Sequence, residues 1–290
     1  MTQNAFFPTH HSSPVTPRSA SLPIGVFDSG VGGLTVLRAL RKHLPNERFI
    51  YLGDTARLPY GTKSRDSVLR YSIQASQFLI RRGIKYLVIA CNTASSVAVD
   101  ELRERFAPVP VIGVIEPGAA AGCEASRSGQ IAVIATEGTV QGGAYQRAIA
   151  RIRPDARVVA KACSLFVALA EEGWADGPIV EAIAHRYLDD LFTQGPDLDT
   201  LLLGCTHFPL LLEALRAVVS PAIAIVDSAE TTAVALALDL ARRNLGAAQN
   251  AAASMTLLAT DSPQRFARVG SRFIGETFVP EQVELVDLAG

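Results

Sequence analysis

The chain has little of the charge that would attract a polyanion: 27 Lys and Arg residues stand against 28 Asp and Glu, a formal net charge of -1. The broad positive field that dominates nucleic-acid binding is missing, so no nucleic-acid partner is expected and a small-molecule ligand is the better reading. Nor is there a run of about eighteen consecutive apolar residues, the length that crosses a bilayer, because each aliphatic stretch stops at Gly, Asn or a charge. No membrane association is expected, and the expected setting is cytoplasmic. Cysteine is scarce too. Cys91, Cys123, Cys163 and Cys205 are the four present, far apart in 290 residues, whereas secreted disulfide scaffolds are short and cysteine-dense. Reduced thiols follow.

Residues 1–22, "MTQNAFFPTHHSSPVTPRSASL", lack the basic start and apolar core of a signal peptide and are rich in Pro, Ser and Thr. They read as a disordered tail, with His10 and His11 solvated within it. The chain as a whole, at 49% hydrophobic, is apolar enough for one large or two medium domains.

"IGVFDSGVGGLTVLRALRKHL" (24–44) reads as a buried strand, a glycine-rich turn and a helix with Leu34, Leu37, Leu40 and Leu44 three or four apart. The same strand, loop, helix grammar recurs at 86–106, 131–152 and 200–219, with strands too continuously aliphatic to face water. Alternating units of this kind predict an α/β fold with mainly parallel sheets covered by helices. "LVIACNTAS" resembles "LLLGCTHFP", and "IGVFDSGVGG" resembles "IAVIATEGTV". Two similar, pseudo-symmetric α/β domains would explain the repetition. Boundaries near 114 and 228 give a first domain of residues 23–113 plus 229–290 and a second of residues 114–228.

In open parallel sheets the functional crevice lies outside the carboxyl ends of the strands. Asp28 with Ser29, Cys91 with Asn92 and Thr93, Thr136 through Thr139, and Cys205 with Thr206 and His207 all fall there. A helix start after each strand presents free N–H groups that bind carboxylates and favour a thiolate, so each cysteine is expected to ionise more easily. Cys123 and Cys163 read as small buried hydrophobes. Cys91 and Cys205 differ, ending equivalent strands beside hydroxyl, amide or imidazole groups. Asp28 could cap a helix starting near Gly32 or take a thiol proton, and His207 could be structural or a base or partner for Cys205.

"DTARLPYGTKS" (54–64) has loop chemistry, with Tyr60 and Gly61 able to meet a ligand. "FVALAEEGW" (166–174) reads as a helix end capped by Gly173, with Glu171 and Glu172 a solvated pair on the plain reading. "DSGVGG" lacks the Walker A ending and the dinucleotide glycine spacing, which disfavours nucleotide binding. No Cys-x-x-Cys or His-x-x-x-His pair supports a metal site. The four lysines, Lys42, Lys63, Lys85 and Lys161, lie outside the strand-end constellation, which weakens a PLP mechanism.

Taken in order, "VFDSGVGGLTVL", "LPYG", "IACNTAS", "GCTHFPLL" and "VDSAE" resemble the aspartate/glutamate racemase family, with the "PYG" loop favouring its glutamate-specific members. The resemblance runs from about Ile24 to "RFARVGSRFIG". It implies cofactor-independent interconversion of L- and D-glutamate for peptidoglycan, at an active site on the interface of two α/β domains. Carried over by motif, Cys91 and Cys205 are the acid/base thiols, acting on D- and L-glutamate respectively. Asp28 and His207 assist them, and Glu171 helps His207. Asp28, Ser29, Tyr60, Gly61, Asn92, Thr93, Thr139, Thr206 and His207 hold the substrate. The chain departs from the family pattern by lacking a proline after Cys163 and another near Ala168, and by carrying Ala135 where a glycine is common.

The chemistry fits that implication. Racemisation removes a proton from one face of a weakly acidic carbon and returns one to the other, so two groups on opposite sides suit it. A thiol, with an ordinary pKa of about 8.5, needs only modest help to switch protonation near neutrality. Asn92, Thr93 and Thr206 could stabilise the carboxylate whose charge grows in the transition state. An aspartate or other amino-acid racemase, a cysteine hydrolase or amidase using one thiol, and a non-catalytic amino-acid-binding protein remain the alternatives. A monomer and a homodimer are both open.

Overall fold

The computed structural model describes residues 20–195 and 197–288; His10, His11 and the rest of the tail up to residue 19 lie outside them. Strand and helix alternate. The chain opens with β1 (Ile24–Asp28), α1 (Leu34–His43), β2 (Arg48–Gly53), α2 (Arg65–Arg81), β3 (Tyr86–Ile89), α3 (Asn92–Arg105) and β4 (Val111–Gly113). It continues with α4 (Ile115–Ala125), β5 (Gln130–Ala135), α5 (Glu137–Gly142), α6 (Ala144–Ile152), β6 (Arg157–Ala162), α7 (Leu165–Glu172) and α8 (Pro178–Gln194). Then come β7 (Thr200–Gly204), α9 (Leu212–Val218), β8 (Ala224–Asp227), α10 (Ser228–Arg242), β9 (Ser254–Ala259), α11 (Pro263–Ile274) and β10 (Val283–Leu285).

The strands form two sheets, ordered β10-β9-β2-β1-β3-β4 and β6-β5-β7-β8, and their pairings are parallel. Within the first, β2-β1-β3-β4 repeats the order β6-β5-β7-β8 of the second, with β3 and β7 in equivalent places. The expected α/β architecture of two similar halves is therefore present. β1, β3 and β7 are buried at every position, which accounts for their unbroken aliphatic runs.

The helices follow from their stripes and ends. On α1, Leu34, Leu37 and Leu40 are fully buried, each contributing roughly 1.5–3 kcal/mol. Arg41, Lys42 and His43 occupy its last turn, where cations favour the helix dipole. Ser64 caps α2 by accepting from the Ser67 N–H. The segment 131–152 departs from the single helix its pattern predicts: Gly143, at φ 60°, divides it into α5 and α6. That left-handed residue turns the chain between the two helices, a conformation glycine adopts without steric cost.

The halves share one apolar core, in which Leu34 and Leu37 from beneath the first sheet belong to the same cluster as Leu203 and Phe208 from the second. Polar contacts cross as well. The Thr35 hydroxyl donates to the Thr206 carbonyl at 2.9 Å.

Candidate active site

The turn after β1 is glycine-rich because it is crowded, at Gly32 by the other half of the molecule and at Gly33 by its own half. A Cβ on Gly32 would lie 2.4 Å from the His207 ring and from Thr206 Oγ1, and one on Gly33 would lie 2.5 Å from Asp28 Cβ. Close approach, not a phosphate, explains "DSGVGG". Asp28 sits beneath this turn, 1% exposed, with Oδ2 accepting from the Gly30 N–H at 2.9 Å and Oδ1 lacking a protein partner. It does not act as a side-chain cap, since α1 begins at Leu34 after an N-cap Gly33 without a side-chain bond. Burial raises its carboxyl above the usual range, against the lowering influence of the turn N–H groups and His207.

Cys91 leaves β3 and becomes the N-cap of α3, its sulfur accepting from the Ala94 N–H and donating to Ser29 Oγ, both at 3.4 Å. The expectation that a helix start eases ionisation fails here. Burial, joined by the Asp28 carboxylate, pushes the Cys91 thiol up to about 12, outweighing the Ser29 and Ala94 contacts. A thiolate loses more in desolvation than two weak donors return.

Cys205 leaves β7 in the equivalent place but has different neighbours. His207 Nδ1 lies 3.9 Å from its sulfur, and His207 Nε2 lies 3.1 Å from Glu171 Oε1. Burial would lower the His207 pKa, but the bonds to Cys205 and Glu171 carry it up to about 10. Its two nitrogens thus both bear protons at neutrality, directed at the thiol sulfur and the carboxylate. Burial would raise Glu171, yet His207 and Arg265 hold it below the ordinary carboxylate range. Arg265 donates to Glu171 Oε2 at 2.6 Å and Arg272 to its main-chain carbonyl at 2.9 Å. Glu171 is therefore a bound, largely buried group, not one of a solvated pair.

Both thiols line one cavity of about 290 Å3, near the lower end of the roughly 300–1,000 Å3 usual for small-molecule sites. Ser29, Tyr60, Gly61, Asn92, Thr93, Glu171, Thr206 and His207 line it with them. Tyr60 is held by Asp54, whose Oδ2 accepts its hydroxyl at 2.5 Å. Gly61 is required by proximity, since a Cβ there would lie 2.8 Å from Thr136 Cβ. Thr139 is buried behind the wall, its hydroxyl 3.2 Å from Thr93 Oγ1 and 3.0 Å from Thr136 Oγ1. Asp28 likewise lies behind the lining residues.

Gly30 and Thr136 also line it, and Leu58, Pro59, Thr62, Ser164, Val167 and Ala168, which the sequence does not single out as site residues, complete the wall. The α7 contribution falls on the stretch that departs from the family's proline pattern. Tyr145, whose hydroxyl donates to Asn92 Oδ1 at 2.7 Å, carried no local signal. Among the described residues no group of three or more His, Cys, Asp or Glu side chains is arranged to hold a metal ion.

Two parallel-sheet halves thus meet over a cavity lined by a pair of thiols. A family model described as Asp/Glu/Hydantoin racemase matches residues 34–236, and the chain belongs to that family. Within it the chain groups with the glutamate racemases. That of Geobacter metallireducens is 49% identical over 252 residues, 87% of this chain and 92% of its own. That of Koribacter versatilis is 46% identical over 289 residues, 92% of this chain and 98% of its own. The crystal structure of the Francisella tularensis glutamate racemase in complex with D-glutamate matches with a TM-score of 0.86 at 36% identity, covering 93% of this chain and 99% of that one. The Thermus thermophilus glutamate racemase in complex with beta-chloro-D-alanine matches with a TM-score of 0.83 at 43% identity, covering 93% and 98%.

Proposed function

We propose that the protein interconverts L- and D-glutamate through two thiols, without a cofactor, in a cavity between two lobes, residues 23–113 with 229–290 and residues 114–228. The observation that carries this reading is the pair of thiols from topologically equivalent strand ends lining one small cavity. D-glutamate made here would supply peptidoglycan. A cytoplasmic setting belongs to the same reading, which is compatible with either a monomer or a homodimer.

In the L-to-D direction, the Cys205 thiolate takes the α-proton and becomes a thiol, leaving the electron pair on the α-carbon and its carboxylate. The Cys91 thiol then gives its proton to the opposite face and becomes a thiolate. The protonated His207, 3.9 Å from Cys205, favours negative charge on that sulfur. Glu171 keeps the imidazole charged and oriented. Burial keeps Cys91 in the proton-bearing form the second step needs. Asp28, with one unpartnered oxygen, can draw a proton from Cys91 in the reverse direction. Asn92, Thr93 and Thr206 hold the carboxylate, whose charge grows in the transition state, while Ser29, Tyr60 and Gly61 hold the rest of the substrate, with Thr139 steadying Thr93.

The test is loss of optical activity when pure protein is mixed with L-glutamate in the absence of PLP, with L-aspartate run beside it. Glutamate should racemise, and in deuterated water the product should carry deuterium at the α-carbon. Cys91→Ala and Cys205→Ala should each lower the rate by roughly 10²–10⁴-fold, the usual worth of a positioned acid or base. A near wild-type rate in either variant would sink the two-thiol mechanism, and an unchanged rotation with native protein would leave a binding protein instead.

A further inference from the structure

Tyr145 is a buried group that the reaction outlined above leaves unused. It lies on α6, 1% exposed. Its ring runs beneath the end of β7, where a Cβ on Gly204 would fall 2.9 Å from Tyr145 Cε2. Gly204 immediately precedes Cys205. At the far end of the same side chain, the hydroxyl donates to Asn92 Oδ1 at 2.7 Å, and Asn92 immediately follows Cys91. A single side chain therefore touches the chain neighbours of both thiols.

The polarity of that hydrogen bond fixes what Asn92 offers to a ligand. A carboxamide has one acceptor end and one donor end, exchanged by rotation. Burial holds the Tyr145 hydroxyl in its protonated form. With the phenol donating to Oδ1, Nδ2 must be the end turned away. Nδ2 is buried with no protein partner, on a residue that lines the cavity. A buried donor left open in this way calls for an acceptor atom from outside the protein.

We propose that Tyr145 is a positioning residue: its hydroxyl locks the Asn92 amide with Nδ2 directed at an anionic substrate oxygen, and its ring sets the Cys205 strand end at a fixed separation from Asn92. The proposal rests on the reading of the cavity as an amino-acid carboxylate site. Without the phenol, the amide is free to rotate and present Oδ1, an acceptor, to a carboxylate.

A double-mutant cycle on the full-length enzyme tests this, with L-glutamate as the probe. Asn92→Ala should lower kcat/KM. Tyr145→Phe should lower it about tenfold in the native background, the worth of one hydrogen bond to a charged group, and have no further effect in the Asn92→Ala background. Gly118→Ala gives a second route to the same bond, because its Cβ would stand 3.3 Å from the Tyr145 hydroxyl while alanine favours helix α4. It should reduce kcat/KM without lowering Tm, again only when Asn92 is present, and it decides the matter if Tyr145→Phe does not fold. Equal losses from Tyr145→Phe with and without Asn92, or no loss in the native background, would overturn the role of Tyr145 while leaving the cavity's assignment intact. An Asn92→Ala enzyme of undiminished kcat/KM would instead overturn the carboxylate site on which the proposal rests.

Discussion

At Cys91 and Cys205 one residue type meets opposite surroundings. Cys91 has a buried carboxylate among its neighbours and one weak donor, the Ala94 N–H, at 3.4 Å, and it stays protonated; Cys205 faces a charged imidazole. A proton-bearing thiol on one side and a sulfur beside a charged imidazole on the other would suit the proposed proton relay across a carbon. The imidazole also leaves a signature in stability. Its folded pKa, about 10, exceeds the ordinary imidazole value of 6.5. The folded state therefore binds the proton more tightly, and the added stability is full below the unfolded pKa and lost as pH rises through the folded one. Wild-type protein should lose stability between about pH 6.5 and 10 relative to His207→Gln, measured as denaturant midpoints across that window. Parallel curves would show that His207 is not held as an imidazolium. The thiols themselves were legible in the sequence, as were the residues beside them, because each ends an unmistakable aliphatic strand. The ionisation of Cys91 was not, since burial and the charge on Asp28 arise only when distant segments meet.

Among the elements, strands were easier to read than helices. β1, β3 and β7 are buried on both faces and advertise themselves as continuous apolar runs. The break between α5 and α6 was missed because a helical period continues across Gly142 and Gly143, and only the backbone reveals that Gly143 lies at φ 60°. Replacing it with alanine should destabilise the fold by about 1–2 kcal/mol, the penalty of a Cβ in the left-handed region, read as a shift in urea midpoint. A stabilised Gly143→Ala protein would mean that the two helices merge without harm. The α7 wall of the cavity escaped for another reason. Ser164, Val167 and Ala168 come after β6, whose half-exposed residues do not read as a continuous buried run, and which face of a short helix borders a cavity is settled by its partners.

For the molecule as a whole, the cavity exists only because the halves are held together across it. Thr35 bonds to Thr206, Tyr145 to Asn92, and Thr93 Oγ1 lies 2.9 Å from Thr136 Oγ1. Arg265 and Arg272 of α11 grip Glu171 of α7. Arg265 is 46% exposed, so its ion pair is screened, and Arg265→Ala should cost less than about 1 kcal/mol of stability. Its effect on rate should be larger, a loss between tenfold and roughly a hundredfold in kcat/KM, because Glu171 would no longer be fixed against His207. Unaltered kinetics in that variant would remove α11 from the relay.

The repeated strand order has a last consequence. Equivalent strand ends in the two halves would offer a thiol to each face of a carbon lying between them, and the face that carries the proton is what distinguishes one enantiomer from its mirror image. The side chains behind the thiols break that symmetry, with Asp28 and Ser29 on one side and His207 and Glu171 on the other. Enantiomers nonetheless have equal free energies in water, so for the proposed reaction kcat/KM must be the same in both directions. The unlike surroundings can make one enantiomer bind more tightly only by making it turn over more slowly.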